Sequence, residues 1–219
     1  MEVAVALLSF NRFELLTRTL ASLVNSQHPY HLALVDNGST DGSEALVKAL
    51  HGCVNQDGDH TIGHGMNLAI GRALESRPDL VVFSADDYLY RPGWLRRLVS
   101  FWEAAPDEVK IVSCNWEPAY PWNAALGTLE AGGETALIRE MVPGSSWTFR
   151  ACDWPLIGPV RETTGQGEDG EILKRLRAQG FKLGALDLSI HIGERESAWG
   201  NRSWTIAKPL DLAGLKSIK

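Results

Sequence analysis

Short apolar runs alternate with amphipathic stretches through the first hundred residues. Val3 to Leu8 is a continuous, β-rich apolar run, the pattern of a strand buried on both faces. Leu15, Leu16, Thr19, Leu20, Leu23 and Val24 follow at helical spacing, and Asn11 with Glu14 three residues on predicts a capping box at the start of that helix. Leu32 to Val35 predicts a second strand. Asp41 with Glu44 repeats the capping pattern before a helix that buries Leu46, Val47 and Leu50. Met66, Ile70, Ala73 and Leu74 predict a third helix, ended by Arg77-Pro78. Leu80 to Phe83 predicts the next strand, and Trp94, Leu95, Leu98, Phe101 and Trp102 stripe a helix that starts near Pro92-Gly93. Strand and helix in alternation predict βαβ units and a parallel sheet.

The regularity ends there. Ile111 to Cys114, Ala136 to Val142, Ser146 to Ala151 and Phe181 to Leu186 predict strands, and Glu171 to Gln179 predicts a helix stopped by Gly180. Asn115 to Gly133 has little periodicity and reads as a long loop, a kind of segment that is often functional. No linker, repeat or low-complexity stretch divides the chain. The expectation is one domain over residues 1–219, with a nucleotide half at 1–103 and a less regular half at 104–219.

An apolar fraction of 44% and a charged fraction of 22% belong to an ordinary globular protein and exclude general disorder. The net charge of −6 lacks the basic surplus of a protein that grips nucleic acid by its backbone. Three widely spaced cysteines form neither a CxxC pair nor a disulfide framework, which predicts reduced thiols and a cytoplasmic location. No apolar run approaches the roughly 20 residues that span a bilayer, and the N-terminus does not read as a signal peptide.

Two of the predicted strands run into acids. Leu32-Ala33-Leu34-Val35 leads into Asp36-Asn37-Gly38-Ser39-Thr40-Asp41, and Leu80-Val81-Val82-Phe83 leads into Ser84-Ala85-Asp86-Asp87. Carboxylates at the carboxyl edge of an open α/β sheet lie where such sheets bind ligands. Paired acids repel, and a shared divalent cation relieves that repulsion. Asp36 precedes its turn and need not cap the next helix, so it is free to meet a ligand. The Ser84–Asp87 run suits Mg²⁺ or Mn²⁺ bound jointly with a diphosphate. Gly165-Gln166-Gly167-Glu168-Asp169-Gly170 places acids in a glycine-flanked loop before a helix, a position for a general base; the helix dipole accounts for one of the two. His191, just after Leu186-Asp187-Leu188-Ser189-Ile190, is a candidate metal ligand.

In this order the motifs resemble those of GT-A fold glycosyltransferases, in particular the inverting, family-2-like group, from about Val3 to His191. The stretch that ends in Ser9-Phe10-Asn11-Arg12 is similar to the family's first strand and nucleotide-binding turn, which implies that Ser9, Asn11 and Arg12 line the donor site. By the same resemblance Asp36 contacts the nucleobase. Gly63-His64-Gly65-Met66-Asn67 resembles the stretch lining the ribose side, which brings in Asn67. Ser84-Ala85-Asp86 stands at the DxD metal motif, with Asp86 as metal ligand, and Gly167-Glu168-Asp169 resembles the ED motif, with Asp169 as base. His191 falls where many members place a further metal ligand. Ser84 departs from the pattern, since a hydroxyl brings no carboxylate to ribose or metal.

The resemblance implies an α/β GT-A fold, a Rossmann-like, mixed but mostly parallel sheet flanked by helices. It implies metal-dependent transfer, with Mn²⁺ or Mg²⁺, from a UDP- or GDP-sugar to an acceptor hydroxyl, with inversion. Arg195, in a polar stretch after His191, is placed to meet phosphate oxygens. Trp116, Trp122, Trp147 and Trp154 are candidates to stack on an acceptor sugar. A nucleic-acid acceptor is possible but disfavoured by the acidic balance. The rivals are a sugar-phosphate nucleotidyltransferase, whose Gly-rich basic signature is missing after the first strand, and a nucleotide-sugar-binding module without turnover.

Overall fold

A computed structural model of the chain describes residues 1–55, 61–115, 125–162 and 168–192. The elements in chain order are β1 (Val3–Ser9), α1 (Phe13–Leu23), β2 (His31–Asp36), α2 (Ser43–Ala49), β3 (Cys53–Val54), α3 (Ile62–Leu74), β4 (Leu80–Ala85), β5 (Tyr88–Tyr90) and α4 (Trp94–Ala104). They continue with β6 (Val109–Ser113), β7 (Ala125–Ala131), β8 (Glu134–Arg139), β9 (Ser146–Arg150), α5 (Trp154–Ile157), α6 (Glu168–Ala178), β10 (Lys182–Ala185) and β11 (Ser189–His191).

Nine strands form one sheet in the order β3-β2-β1-β4-β9-β6-β10-β8-β7. The β3-β2-β1-β4 portion is wholly parallel, as alternating strands and helices require. Beyond it the sheet is mixed. β9 runs antiparallel between β4 and β6, β10 pairs parallel with β6, and the β7–β8 hairpin closes the far edge. The fold is thus the expected mixed α/β sheet with helices on both faces.

β1 shows why the layers form. All seven of its residues are buried, and successive side chains face opposite sides. Val3, Val5 and Leu7 join Leu16, Leu23, Trp94, Leu98 and Trp102 in the core under α1 and α4. Ala4, Ala6 and Leu8 join Met66, Ile70, Phe83 and Trp147 in the core under α3, which also holds Leu173 and Leu176 of α6. Alanine on the second face lets α3 lie close. A Cβ on Gly65 would stand 2.9 Å from a methyl of Leu8 and 3.2 Å from the Asn37 side chain, so glycine there lets this helix lie close without displacing either.

The differences from expectation have physical causes. Part of the predicted loop at Asn115–Gly133 is strand β7. Its mostly exposed residues on an edge give no alternation to read, and Gly132 and Gly133, both at positive φ, turn it into β8. The first helix lacks its capping box, because Asn11 is at φ 51° and Arg12 occupies the N-cap position without a side-chain cap. Asp41 supplies the cap from the neighbouring turn, accepting the Phe13 N–H at 2.9 Å, while its other oxygen accepts the Ser43 N–H at the start of α2 at 3.0 Å. One carboxylate therefore serves the first turns of two helices. β5 and β11, too short to announce themselves, pair antiparallel as a separate two-stranded sheet.

Candidate active site

The carboxyl ends of β1 and β4 meet at an acidic cluster. Parallel pairing sets Leu8 opposite Ala85, which brings Ser9 beside Asp86. The Ser9 hydroxyl donates to Asp86 Oδ2 at 2.7 Å, and the Phe10 N–H reaches the same oxygen at 3.3 Å. Arg12 Nη1 lies 3.4 Å from Asp86 Oδ1 and 2.8 Å from Asp87 Oδ2. The β5–β11 ribbon pairs His191 with Tyr88, which sets His191 Nε2 3.1 Å from Asp87 Oδ2 and its ring edge-on to Tyr88. Ser9, Arg12, Asp86, Asp87 and His191, drawn from four segments, thus form one network. Both acids are buried, and Asp87 Oδ1 has no hydrogen-bond partner among the described residues.

The turn after β2 is fixed as tightly. Asp36 Oδ2 accepts the N–H groups of Gly38 and Ser39, at 3.0 and 2.8 Å. Asn11 is tied to this turn: its N–H donates to Ser39 Oγ at 2.8 Å and its side-chain oxygen accepts the Thr40 N–H at 2.8 Å. Asp36 Oδ1 is buried without a partner among the described residues, an acceptor beside the turn that a donor group could satisfy. Asn37 lies between the two motifs, accepting from Asn55 Nδ2 at 2.9 Å and donating to the Thr61 carbonyl at the start of α3 at 3.3 Å.

Burial pushes the Asp86 carboxyl up to about 6, opposed by the Ser9 hydrogen bond and the Arg12 charge and aided by Asp87. Burial also works against charge on Asp87, but His191 and Arg12 outweigh it and hold that carboxyl below its ordinary value. The surroundings thus move the two carboxyls in opposite directions, Asp86 up and Asp87 down.

Asp169 reaches the same rim by another path. It lies in the first turn of α6, half-buried, and burial raises its pKa. A Cβ on Gly144 would lie 2.3 Å from Asp169 Oδ2, and the Gly144 N–H donates to this carboxylate. The next residue, Ser145, accepts the Ala85 N–H at 2.8 Å through its carbonyl and bonds Tyr88 Oη at 2.7 Å through its hydroxyl. The turn before β9 therefore spans from the proposed base to the acidic strand end.

Other expected residues have different work. Ser84 is fully buried and donates to the Ala85 carbonyl at 2.7 Å; Ala85 takes part through its backbone. Asn67 uses its side chain on protein, its Nδ2 donating to the Val160 carbonyl and Glu162 Oε1, and its Oδ1 accepting the Val160 N–H, each at 2.8 Å. Trp147 is wholly buried in the core, and Trp154 stacks on Phe149 with ring centroids 5.4 Å apart. Arg195, Trp116 and Trp122 lie outside the described residues. Sequence reasoning missed Gly144 and Glu162. Pro143-Gly144 between two predicted strands was the available sign of a tight turn, and Glu162 carried none.

Among the described residues no group of three or more His, Cys, Asp or Glu side chains is arranged to hold a metal ion. The donor chemistry nevertheless fits a hard divalent cation: two adjacent carboxylates, one with an unpartnered buried oxygen, and an imidazole. The position between the carboxylates is held by the Arg12 guanidinium.

This sheet, with acids at the carboxyl rim of its parallel part, defines a GT-A glycosyltransferase fold. The profile described as "Glycosyl transferase family 2" matches residues 4–142, and the chain belongs to that family. Among solved structures, S. aureus TarS 1–349 is similar at 15% identity with a TM-score of 0.64, over 85% of this chain and 58% of that one. S. aureus TarS 1–349 in complex with UDP gives 16% identity and a TM-score of 0.65, over 85% and 58%. S. aureus TarS gives 14% identity and a TM-score of 0.65, over 89% and 37%. The chain thus spans at most 58% of the length of these structures. No curated protein matched the sequence. No described helix is long and apolar enough to cross a membrane.

Proposed function

We propose that this protein transfers a glycosyl group from a nucleoside-diphosphate sugar to an acceptor hydroxyl in a single inverting displacement. The observation that carries the reading is the joining of two acids at one rim: Asp86, in its network with Ser9, Arg12, Asp87 and His191, and Asp169, seated on Gly144 one residue from the Ala85 contact. The TarS structure with UDP supports a uridine donor by likeness of fold, with a GDP-sugar as the alternative.

Asp36 Oδ1 is the acceptor for a base N–H, and the Asn11–Ser39–Thr40 turn shapes the pocket beside it. Arg12 offers positive charge to the diphosphate. Mn²⁺ or Mg²⁺, held by Asp86 and His191, would neutralise the charge that develops on the departing diphosphate. Asp169, its proton affinity raised by burial, takes the proton of the attacking hydroxyl. Attack from the face opposite the leaving diphosphate inverts the anomeric centre. Cys53, Cys114 and Cys152 are free thiols, which favours a reducing, cytoplasmic setting.

A panel of UDP- and GDP-sugars, with and without Mn²⁺, tests the proposal by thermal shift and by release of nucleoside diphosphate. One donor should raise the melting temperature, since a ligand bound only by the folded state stabilises it. The same donor should be turned over with an inverted product by NMR. A retained anomer would exclude the single displacement, and pyrophosphate released from a nucleoside triphosphate would favour a nucleotidyltransferase. Donor binding with no turnover, with or without acceptor, would favour a binding module.

A further inference from the structure

The position that a divalent cation would need between Asp86 and Asp87 is held by a side chain of this protein. Arg12 Nη1 touches Asp86 Oδ1 at 3.4 Å and Asp87 Oδ2 at 2.8 Å, so a single nitrogen bridges both carboxylates. The two acids are only 3% and 8% exposed, and two adjacent buried carboxylates repel strongly without a shared counter-charge. The backbone aims the guanidinium there. Asn11, just before it, is held at positive φ by its bonds to Ser39 and Thr40, and the Phe13 N–H just after it is held by Asp41. Arg12 is itself 43% exposed, so its long stem can swing to solvent or to another anion without disturbing the core.

A second observation points to the same place. Asp87 Oδ1 is buried and has no hydrogen-bond partner among the described residues, although Asp87 Oδ2 takes both Arg12 and His191. The pair therefore retains acceptor capacity that a guanidinium anchored through one nitrogen does not use.

We propose that Arg12 is the resident counter-ion of the Asp86–Asp87 pair and competes with the divalent cation for it. The free protein then holds metal weakly, and the donor diphosphate admits the metal by giving the guanidinium a replacement anion. A phosphate oxygen suits this exchange, because arginine–phosphate contacts are charge-assisted and directional. The inference rests on the metal assignment to Asp86 and His191 made above, extends it to Asp87, which lies against His191 Nε2 at 3.1 Å, and assigns to Arg12 a role before donor binding as well as after it.

Mn²⁺ binding followed by electron paramagnetic resonance at pH 8, without nucleotide, tests it. Arg12→Met keeps the apolar stem and removes the charge. It should bind Mn²⁺ at least about tenfold more tightly than the wild type, whereas Arg12→Lys, which keeps the charge, should stay within about threefold of the wild type. Saturating UDP should tighten Mn²⁺ binding in the wild type and narrow the gap to Arg12→Met. If Arg12→Met does not fold, Arg12→Gln carries the same expectation with a hydrogen-bond donor left on the acids. Equal Mn²⁺ affinity of wild type and uncharged variant without nucleotide would overturn the proposal while leaving the metal assignment standing, provided both bind Mn²⁺ with UDP. Failure of either protein to bind Mn²⁺ while UDP still raises the melting temperature would overturn the metal assignment, and the competition with it.

Discussion

The two acids at the rim are held by unlike means. Asp86 stands at a strand end, fixed by parallel pairing of β1 with β4 and by the Ser9 hydroxyl. Its position follows from register in the regular half, so only a change in the sheet would move it. Asp169 belongs to a helix of the mixed half; its carboxylate lies against Gly144 and accepts the N–H groups of Gly144, Gly170 and Asp169 itself. The first acid is set by a cooperative ladder and the second by a single turn. Under the proposed function, the strand-end acid serves the donor and the helix-borne acid serves the acceptor.

The strongest way to break this comparison is to remove the base. Asp169→Asn should lower kcat by about 10²–10⁴-fold, the range for a general base, while donor affinity stays near wild type. Near-normal turnover would strip Asp169 of its role. A finer cut moves the base without removing it. In Gly144→Ala the added Cβ meets Asp169 Oδ2 at 2.3 Å, so the carboxylate must shift. A displacement of about 1 Å costs about 10²-fold in rate, so kcat should fall by roughly that factor with donor KM unchanged. If kcat survives in Gly144→Ala, the turn before β9 does not set the geometry of the base.

Asn67 separates the halves in the other direction. The resemblance places it on the ribose side, but its side chain makes three hydrogen bonds to Val160 and Glu162. Asn67→Ala leaves both backbone groups of Val160 without these partners and should cost about 1–3 kcal/mol of stability. For a chain of this size that is about 2–4 °C in Tm per kcal/mol. Donor KM should stay within about twofold of wild type. A large rise in donor KM with unchanged Tm would return Asn67 to the ribose.

What could be read in advance follows the same division. The parallel strands β1, β2 and β4, their helices and the acids at their ends were legible because buried strands write apolar runs, and those runs stop near Asp36 and Asp86; the two-residue β3 was too short to show. Asp169 was legible as an acid in a glycine-flanked turn, but its neighbour Gly144 was not, since the two meet only through the tertiary fold. His191 could be nominated, yet the β5–β11 ribbon that carries it to Asp87 has three residues per strand and no periodic signal. The β7 edge strand was hidden because exposed residues carry no alternation. The Arg12 bridge was hidden for a different reason: its partners lie over 70 residues away in sequence.

The smallest expected effect concerns the stability cost of keeping Asp169 ready. Burial raises its pKa in the folded protein above the unfolded value, so the folded state binds that proton more tightly. Asp169 therefore favours folding at low pH, and its contribution is lost as pH rises from the unfolded carboxylate value, about 3.9, through the raised folded value. Asp169→Asn, neutral at every pH, escapes that loss. Its Tm should exceed the wild-type Tm at neutral pH, and the gap should close as pH falls toward the unfolded carboxylate range. The wild-type kcat should decline across the same window as the base becomes protonated. A Tm gap that stays constant with pH would mean that Asp169 is no more costly to ionise than a surface carboxylate. The contrast between an acid set at a strand end and a base made costly by burial would then fail at its second term.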